Sequence, residues 1–199
     1  VTTIGFDLDM TLIDSRPGIK AVYEQVAVES GATIDTDLVV SRLGPPPEWE
    51  LAHWVPEAEV KHWADRYRDL YPLIALDLVS VMPGAYAAIE AANKVGRTIL
   101  LTAKHPPNAR LHVDRLALPV GDVFGGAWRE AKGVVLLDEG AFAYVGDHVH
   151  DMDAARLAGV IGVGVVTGPC SADELRDAEA SVVLTSLEDF PEWLATQAM

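Results

Sequence analysis

The chain has 199 residues, and 15 Lys and Arg stand against 30 Asp and Glu, a formal net charge of −15. Half of it is hydrophobic and 23% is charged, which excludes disorder and low complexity, because that much apolar surface can offset ordering entropy in a core. The acidic field repels nucleic-acid phosphate and anionic membrane surfaces, no apolar run reaches the roughly 18 residues of a membrane span, and the lone Cys170 cannot form an internal disulfide.

In chain order, Thr2 to Phe6 is short, apolar and β-rich and runs into Asp7, which predicts a buried strand ending at a polar edge. From Pro17 to Ser30, Ile19, Val22, Tyr23, Val26 and Ala27 recur at helical spacing, with Gly31 as a stop. A short helix is expected over 36–43, after which Gly44-Pro45-Pro46-Pro47 breaks regular structure. Two more helices are expected over 48–55 and 57–71. The second carries Val60, Trp63, Ala64 and Tyr67 on one stripe, and Pro72 ends it. After Pro83-Gly84 the rhythm alternates. Helices are expected over 85–95, 108–116, 132–139, 152–158, 172–178 and 187–195, with strands over 97–102, 123–126, 142–146, 160–166 and 182–184. Such alternation implies an α/β fold, a parallel sheet covered on both faces.

The chain therefore divides into a core of residues 1–14 and 82–199 and a helical insertion of residues 15–81. An insertion after the first strand's C-terminal end sits above the place where open α/β sheets bind ligands, and can act as a lid. No basic region followed by an apolar stretch opens the sequence, so no signal peptide is read and a cytoplasmic location is expected.

Four signals lie at strand ends. Asp7-Leu8-Asp9-Met10-Thr11 follows the first strand directly. Of two carboxylates two apart, one can attack while its neighbour handles a proton, and such pairs are hard oxygen ligands for Mg²⁺. A solvated loop or a helix cap would show the same pattern. Gly146-Asp147-His148-Val149-His150-Asp151 follows another strand. Asp151 stands where a helix N-cap is expected, whereas Asp147 would converge with Asp7 and Asp9, which repel unless a cation binds. Leu100-Leu101-Thr102 is an apolar strand ending in a hydroxyl, and Lys132 lies between a glycine-rich stretch and a helix.

Together and in this order, these segments resemble the haloacid dehalogenase superfamily of hydrolases, mostly phosphatases. Asp7 to Ser15 looks like the first motif, Leu101-Thr102 the second, Lys132 the third, and Gly146-Asp147 with Asp151 the fourth. The spacing is similar to that of the phosphoglycolate-phosphatase-like branch, which implies a Rossmann-like core with a helical cap. The resemblance also implies roles. Asp7 would attack phosphorus and become an aspartyl-phosphate. Asp9 would protonate the leaving alkoxide and then take a proton from water, with Thr11 orienting it from beside the substrate. Thr102 and Lys132 would hold phosphoryl oxygens. Mg²⁺ would bind Asp7, Asp147 and the Asp9 backbone carbonyl, with Asp151 in support. Asp two after the nucleophile separates phosphoester chemistry from the dehalogenases proper, which lack it.

The expected substrate is a small phosphorylated metabolite, first of all one like 2-phosphoglycolate, with no nucleic-acid or membrane partner. Alternatives are a phosphomutase or phosphonate hydrolase on the same scaffold, or a regulator that binds a phospho-ligand without catalysis. A phosphonate reaction would need an insertion lysine, and 15–81 offers only Lys20 and Lys61. Met10 departs from the family pattern, where glycine is usual. Lys104 is read as a substrate contact. His148 and His150 are read as a helix start or outer neighbours of the site, and Trp49, His53 and Trp54 as core. Arg42 is read either as a partner for a substrate carboxylate or as a surface ion pair.

Overall fold

The computed structural model describes residues 2–197. Strand β1 (Thr2–Phe6) leads to a two-residue strand β2 (Ile13–Asp14) and then to helices α1 (Arg16–Ser30), α2 (Thr36–Ser41), α3 (Pro47–Leu51) and α4 (Glu57–Ile74). A 3₁₀ turn at Leu76–Leu78 precedes strand β3 (Ser80–Val81). The alternating part follows as α5 (Ala85–Val95), β4 (Gly96–Leu101), α6 (Pro106–Arg115), β5 (Asp122–Phe124), α7 (Glu130–Asp138), β6 (Ala141–Gly146), α8 (Val149–Ala158), β7 (Ile161–Val165), α9 (Ala172–Asp177) and β8 (Val182–Leu184). A 3₁₀ turn at Leu187–Asp189 and helix α10 (Phe190–Ala195) close it.

Six strands form one sheet in the order β5-β4-β1-β6-β7-β8, with parallel pairing throughout. The fold is α/β with a Rossmann-like parallel core, as expected. Alternation along the strands supplies both faces. Ile4, Phe6 and Leu100 pack with Ile89, Leu187 and Phe190 on one side, while Ile99, Leu101 and Tyr144 pack with Leu136 and Ala154 on the other. Helices α1–α4 bury a cluster of their own around Val22, Tyr23, Leu51, Tyr67 and Leu70.

The antiparallel pair β2–β3 was not foreseen. Ile13 pairs with Val81 and Asp14 with Ser80, so the chain enters and leaves the inserted helices side by side. Strands of two residues carry no readable alternation, which is why the sequence is silent on them. A second correction concerns Pro72, which does not end α4: the helix runs through it to Ile74. A proline leaves the carbonyl four residues back without its helical partner. That carbonyl, of Arg68, accepts instead from Asn108 Nδ2 at 3.3 Å. Among the described residues no helix is long and apolar enough to cross a membrane.

Candidate active site

The order of strands reverses about β1, since the chain passes from β1 to β4 and β5 and then returns to β6 on β1's other side. Ligands bind outside the carboxyl ends of strands at such a point. Three neighbouring strands place polar residues there: β4 is followed by Thr102, β1 by Asp7 and β6 by Asp147. The ladder carries Asp7 to the edge, because its N–H still donates to the Val145 carbonyl at 2.8 Å. The chain then turns tightly, with the N–H groups of Leu12 and Ile13 both donating to the Leu8 carbonyl. Met10 takes a left-handed φ of 62° in that turn.

Asp7, Asp147 and Asp151 are buried and offer carboxylate oxygens within 4.8 Å of one another. Lys132, at the start of α7, donates to Asp7 Oδ1 at 2.9 Å and to Asp151 Oδ1 at 2.6 Å. One ammonium thus faces three carboxylates. Burial, partly opposed by Lys132, pushes the Asp7 carboxyl up to about 7. Burial and then the charges of Asp7 and Asp151 push Asp147 well above its ordinary value. Buried acids raised by each other's charge suit a divalent cation with hard oxygen ligands, and these three residues could hold one. Two glycines make room for them. A Cβ on Gly168 would lie 1.7 Å from Asp147 Oδ2, and one on Gly146 would lie 2.4 Å from Asp151 Oδ2.

Asp151 is not the N-cap of α8, as the sequence reading had it. His148 holds that position, and Asp151 stands three residues on, where its Oδ2 accepts the His148 N–H at 3.2 Å. Thr11 also differs from expectation. It is fully buried, and its hydroxyl donates to Asp147 Oδ1 at 2.7 Å rather than orienting Asp9. It does not line the pocket between the sheet edge and the inserted helices.

The Asp9 carboxylate lies outside the acidic cluster and faces Lys104, whose Nζ is 3.0 Å from Asp9 Oδ1. Burial alone would raise Asp9, but Lys104, together with Ser15, outweighs it and holds the carboxyl below its ordinary value. Burial likewise disfavours the Lys104 ammonium, and Asp9 more than compensates. Lys104 Nζ also donates to the Tyr71 hydroxyl at 2.9 Å. Tyr71 comes from α4, so an inserted helix reaches the sheet's edge. The sequence offered no signal for this contact beyond helical spacing with Tyr67, which reads as core.

Asp7, Asp9, Thr102, Lys104, Lys132, Asp147 and Asp151 all line one pocket between the sheet edge and the inserted helices. The 44–47 loop also lines it, as do Arg42, Arg68 and His148. Arg42 forms a paired contact with buried Glu50, at 3.1 Å through Nε and 2.7 Å through Nη2, so the ion-pair reading of Arg42 holds on the pocket wall. Of the three aromatic residues read as core, Trp54 packs against the inner cluster and donates to Glu50 Oε1 at 2.7 Å. Trp49 instead stacks on His53 at 4.5 Å, with the Arg42 guanidinium 5.3 Å from its ring. Lys20 and Lys61 pair with Asp37 and Asp65, away from the pocket lining.

The profile of haloacid dehalogenase-like hydrolases matches residues 1–159. Hexitol phosphatase A of Escherichia coli is 28% identical over 195 residues, covering 92% of this chain and 90% of that protein. Among solved structures, a haloacid dehalogenase-like hydrolase of Streptococcus pneumoniae superposes with a TM-score of 0.86 at 19% identity, covering 98% of both chains. A protein of Haemophilus somnus described as a predicted phosphoglycolate phosphatase gives 0.77 at 20% identity, again over 98% of both. With four-fifths of its length matched by that profile and the family's core topology around the acidic site, the chain belongs to the haloacid dehalogenase-like hydrolases.

Proposed function

We propose that the protein hydrolyses a small phosphate monoester, with Asp7 as the nucleophile that becomes an aspartyl-phosphate. The observation that carries this reading is the meeting of Asp7, Asp147 and Asp151 around the Lys132 ammonium, beside Thr102, at the ends of adjacent strands. Phosphoryl transfer needs in-line positioning and neutralised charge more than covalent machinery.

Asp7 attacks phosphorus, the bond from phosphorus to the ester oxygen breaks, and the alkoxide takes a proton from Asp9. Lys132 screens Asp7 and, with Thr102, holds the phosphoryl oxygens. Water then attacks phosphorus in the aspartyl-phosphate, the bond from phosphorus to the Asp7 oxygen breaks to free the carboxylate and inorganic phosphate, and Asp9 takes up the proton of the water. Lys104 favours ionised Asp9, the form this second step needs. The protonated form needed first becomes easier once an incoming phosphoryl group draws on the Lys104 charge. Mg²⁺ would be held by Asp7, Asp147 and Asp151, with the Asp9 carbonyl within the same turn, and would supply charge neutralisation for the phosphoryl group. Residues 15–81 would form the cap over the core of 1–14 and 82–199, excluding bulk water during transfer.

Two phosphates head a substrate panel. One is a hexitol phosphate, by similarity to the Escherichia coli enzyme; the other is 2-phosphoglycolate. The phosphonate alternative finds no support, since both insertion lysines are paired outside the pocket. Phosphate release from the panel should require a divalent cation. Asp7→Asn, which keeps the shape and removes the nucleophile, should lower release on every substrate by at least about a thousandfold. Full activity in that variant would sink the mechanism.

A further inference from the structure

Asp9 is held by a chain of contacts that leaves the sheet edge and enters the inserted helices. Lys104 Nζ stands 3.0 Å from Asp9 Oδ1 and 2.9 Å from the Tyr71 hydroxyl. That hydroxyl in turn lies 3.0 Å from His112 Nε2. Tyr71 is 1% exposed and His112 is fully buried. The direction of each bond can be read. An ammonium only donates, so Tyr71 accepts from Lys104 and its own proton is free to go to His112. Burial holds the His112 imidazole down at about 4, so the ring is neutral and Nε2 can accept. The ring proton then sits on Nδ1, a buried atom with no partner among the described residues. A buried unpaired donor costs about 1–3 kcal/mol, and the bond that Nε2 makes to the Tyr71 hydroxyl stands against that cost.

The backbone around Tyr71 is equally specified. Pro72 leaves the Arg68 carbonyl without a helical donor, and Asn108 of α6 supplies one at 3.3 Å. His112 lies four residues further along α6, one helical turn away. A single face of α6 therefore seats α4 through its backbone at Asn108 and through the Tyr71 side chain at His112.

We propose that Tyr71 is a positioning residue for proton transfer: anchored by His112, its hydroxyl fixes Lys104, and Lys104 fixes Asp9, so the proton-handling carboxyl is set only while α4 is seated on α6. The proposal rests on the phosphoester reading above. It makes docking of the insertion a condition for acid–base catalysis as well as for water exclusion.

The test is the dependence of kcat/KM on the leaving group. An alkoxide needs a proton and p-nitrophenolate does not, so a misplaced Asp9 harms only the former. For the alkyl phosphate turned over fastest in the panel, Tyr71→Phe should lower kcat/KM by about 10- to 100-fold, a partial loss of the roughly 100- to 10,000-fold that general acid catalysis supplies. For p-nitrophenyl phosphate the loss should stay under about threefold on the same argument. Adding Tyr71→Phe to Lys104→Met should not widen the alkyl-to-aryl ratio that Lys104→Met shows alone, because the two act in one chain. Should Tyr71→Phe fail to fold, His112→Leu removes the anchor, keeps the hydroxyl and carries the same expectation. Equal losses on both esters, or none on either, overturn the positioning role while leaving the hydrolase reading intact. Wild-type protein that releases phosphate from neither ester overturns both.

Discussion

His112 shows what burial does to one side chain. Its imidazole, held at about 4 instead of 6.5, stays neutral in the folded protein while the unfolded chain takes up a proton. Stability from this residue is therefore complete above about pH 6.5 and is lost as the pH falls towards 4, by up to about 3 kcal/mol. His148, also lowered to about 4 by burial, adds a loss of the same sign. Asp7 and Asp147, whose carboxyls are raised, work in the opposite direction over part of this range. The His112 contribution is isolated by difference. Thermal melts of wild type and His112→Phe near pH 7 and near pH 4.5 should show the wild type losing ground relative to the variant at the lower pH. A gap independent of pH would contradict the burial argument. At this scale the sequence was informative where chemistry sat at a strand end: Asp7, Thr102 and Asp147 each follow an apolar run. It was uninformative about Tyr71 and His112, which are 41 positions apart and whose helical spacing reads as ordinary core. Met10 lies between these cases. The turn needs a left-handed residue there, φ being 62°, and a non-glycine residue bears about 1–2 kcal/mol for it. Burying the side chain to 2% exposure offsets a cost of that size.

Helix α4 carries the argument at the scale of elements. Proline inside a helix costs about 3 kcal/mol where nothing compensates, so ending the helix at Pro72 was the sound reading of the local sequence. What overrides it is tertiary: the side-chain amide of Asn108 stands in for the missing backbone donor. Asn108→Ala should leave the Arg68 carbonyl without that donor and destabilise the protein by about 1–3 kcal/mol, measured by urea unfolding with an unchanged m-value. Asn108→Asp should do no better than alanine, because a carboxylate cannot donate. An aspartate variant as stable as wild type would show that the contact is incidental. The paired strands β2 and β3 bring the ends of the insertion together. That two-residue pairing and the contacts of α4 with Asn108 and His112 of α6 attach the insertion to the core. The alternating core was legible because each strand and helix carries its own period. Attachments made by single side chains have no period to read.

Across the whole molecule, the charge of −15 bears differently on surface and site. Exposed carboxylates are separated by solvent and screened by salt. At the centre, Lys132 faces Asp7, Asp147 and Asp151, and Lys104 is paired with Asp9. The site thus keeps an excess of buried negative charge. Without a divalent ion, burial of that charge favours the protonated form, which is why Asp7 lies at about 7, with Lys132 opposing the rise and the neighbouring Asp151 and Asp9 adding to it. For Asp7, stability in the ion-free protein is highest below about pH 4 and is lost as the pH rises through 7, and the raised Asp147 acts with the same sign. A divalent ion held there would bind the ionised forms and would have to displace those protons at low pH. Stabilisation by Mg²⁺ should therefore be small near pH 5.5 and reach about 2–3 kcal/mol near pH 8 at a hundred times the dissociation constant. Melts in EDTA and in Mg²⁺ measure it, with sodium chloride matched for ionic strength so that general screening of the acidic surface cancels. Asp147→Asn should abolish the increment at pH 8 while the response to sodium chloride persists. An increment equal at both pH values, or one that survives in Asp147→Asn, would place the ion on the acidic surface and not among the three aspartates.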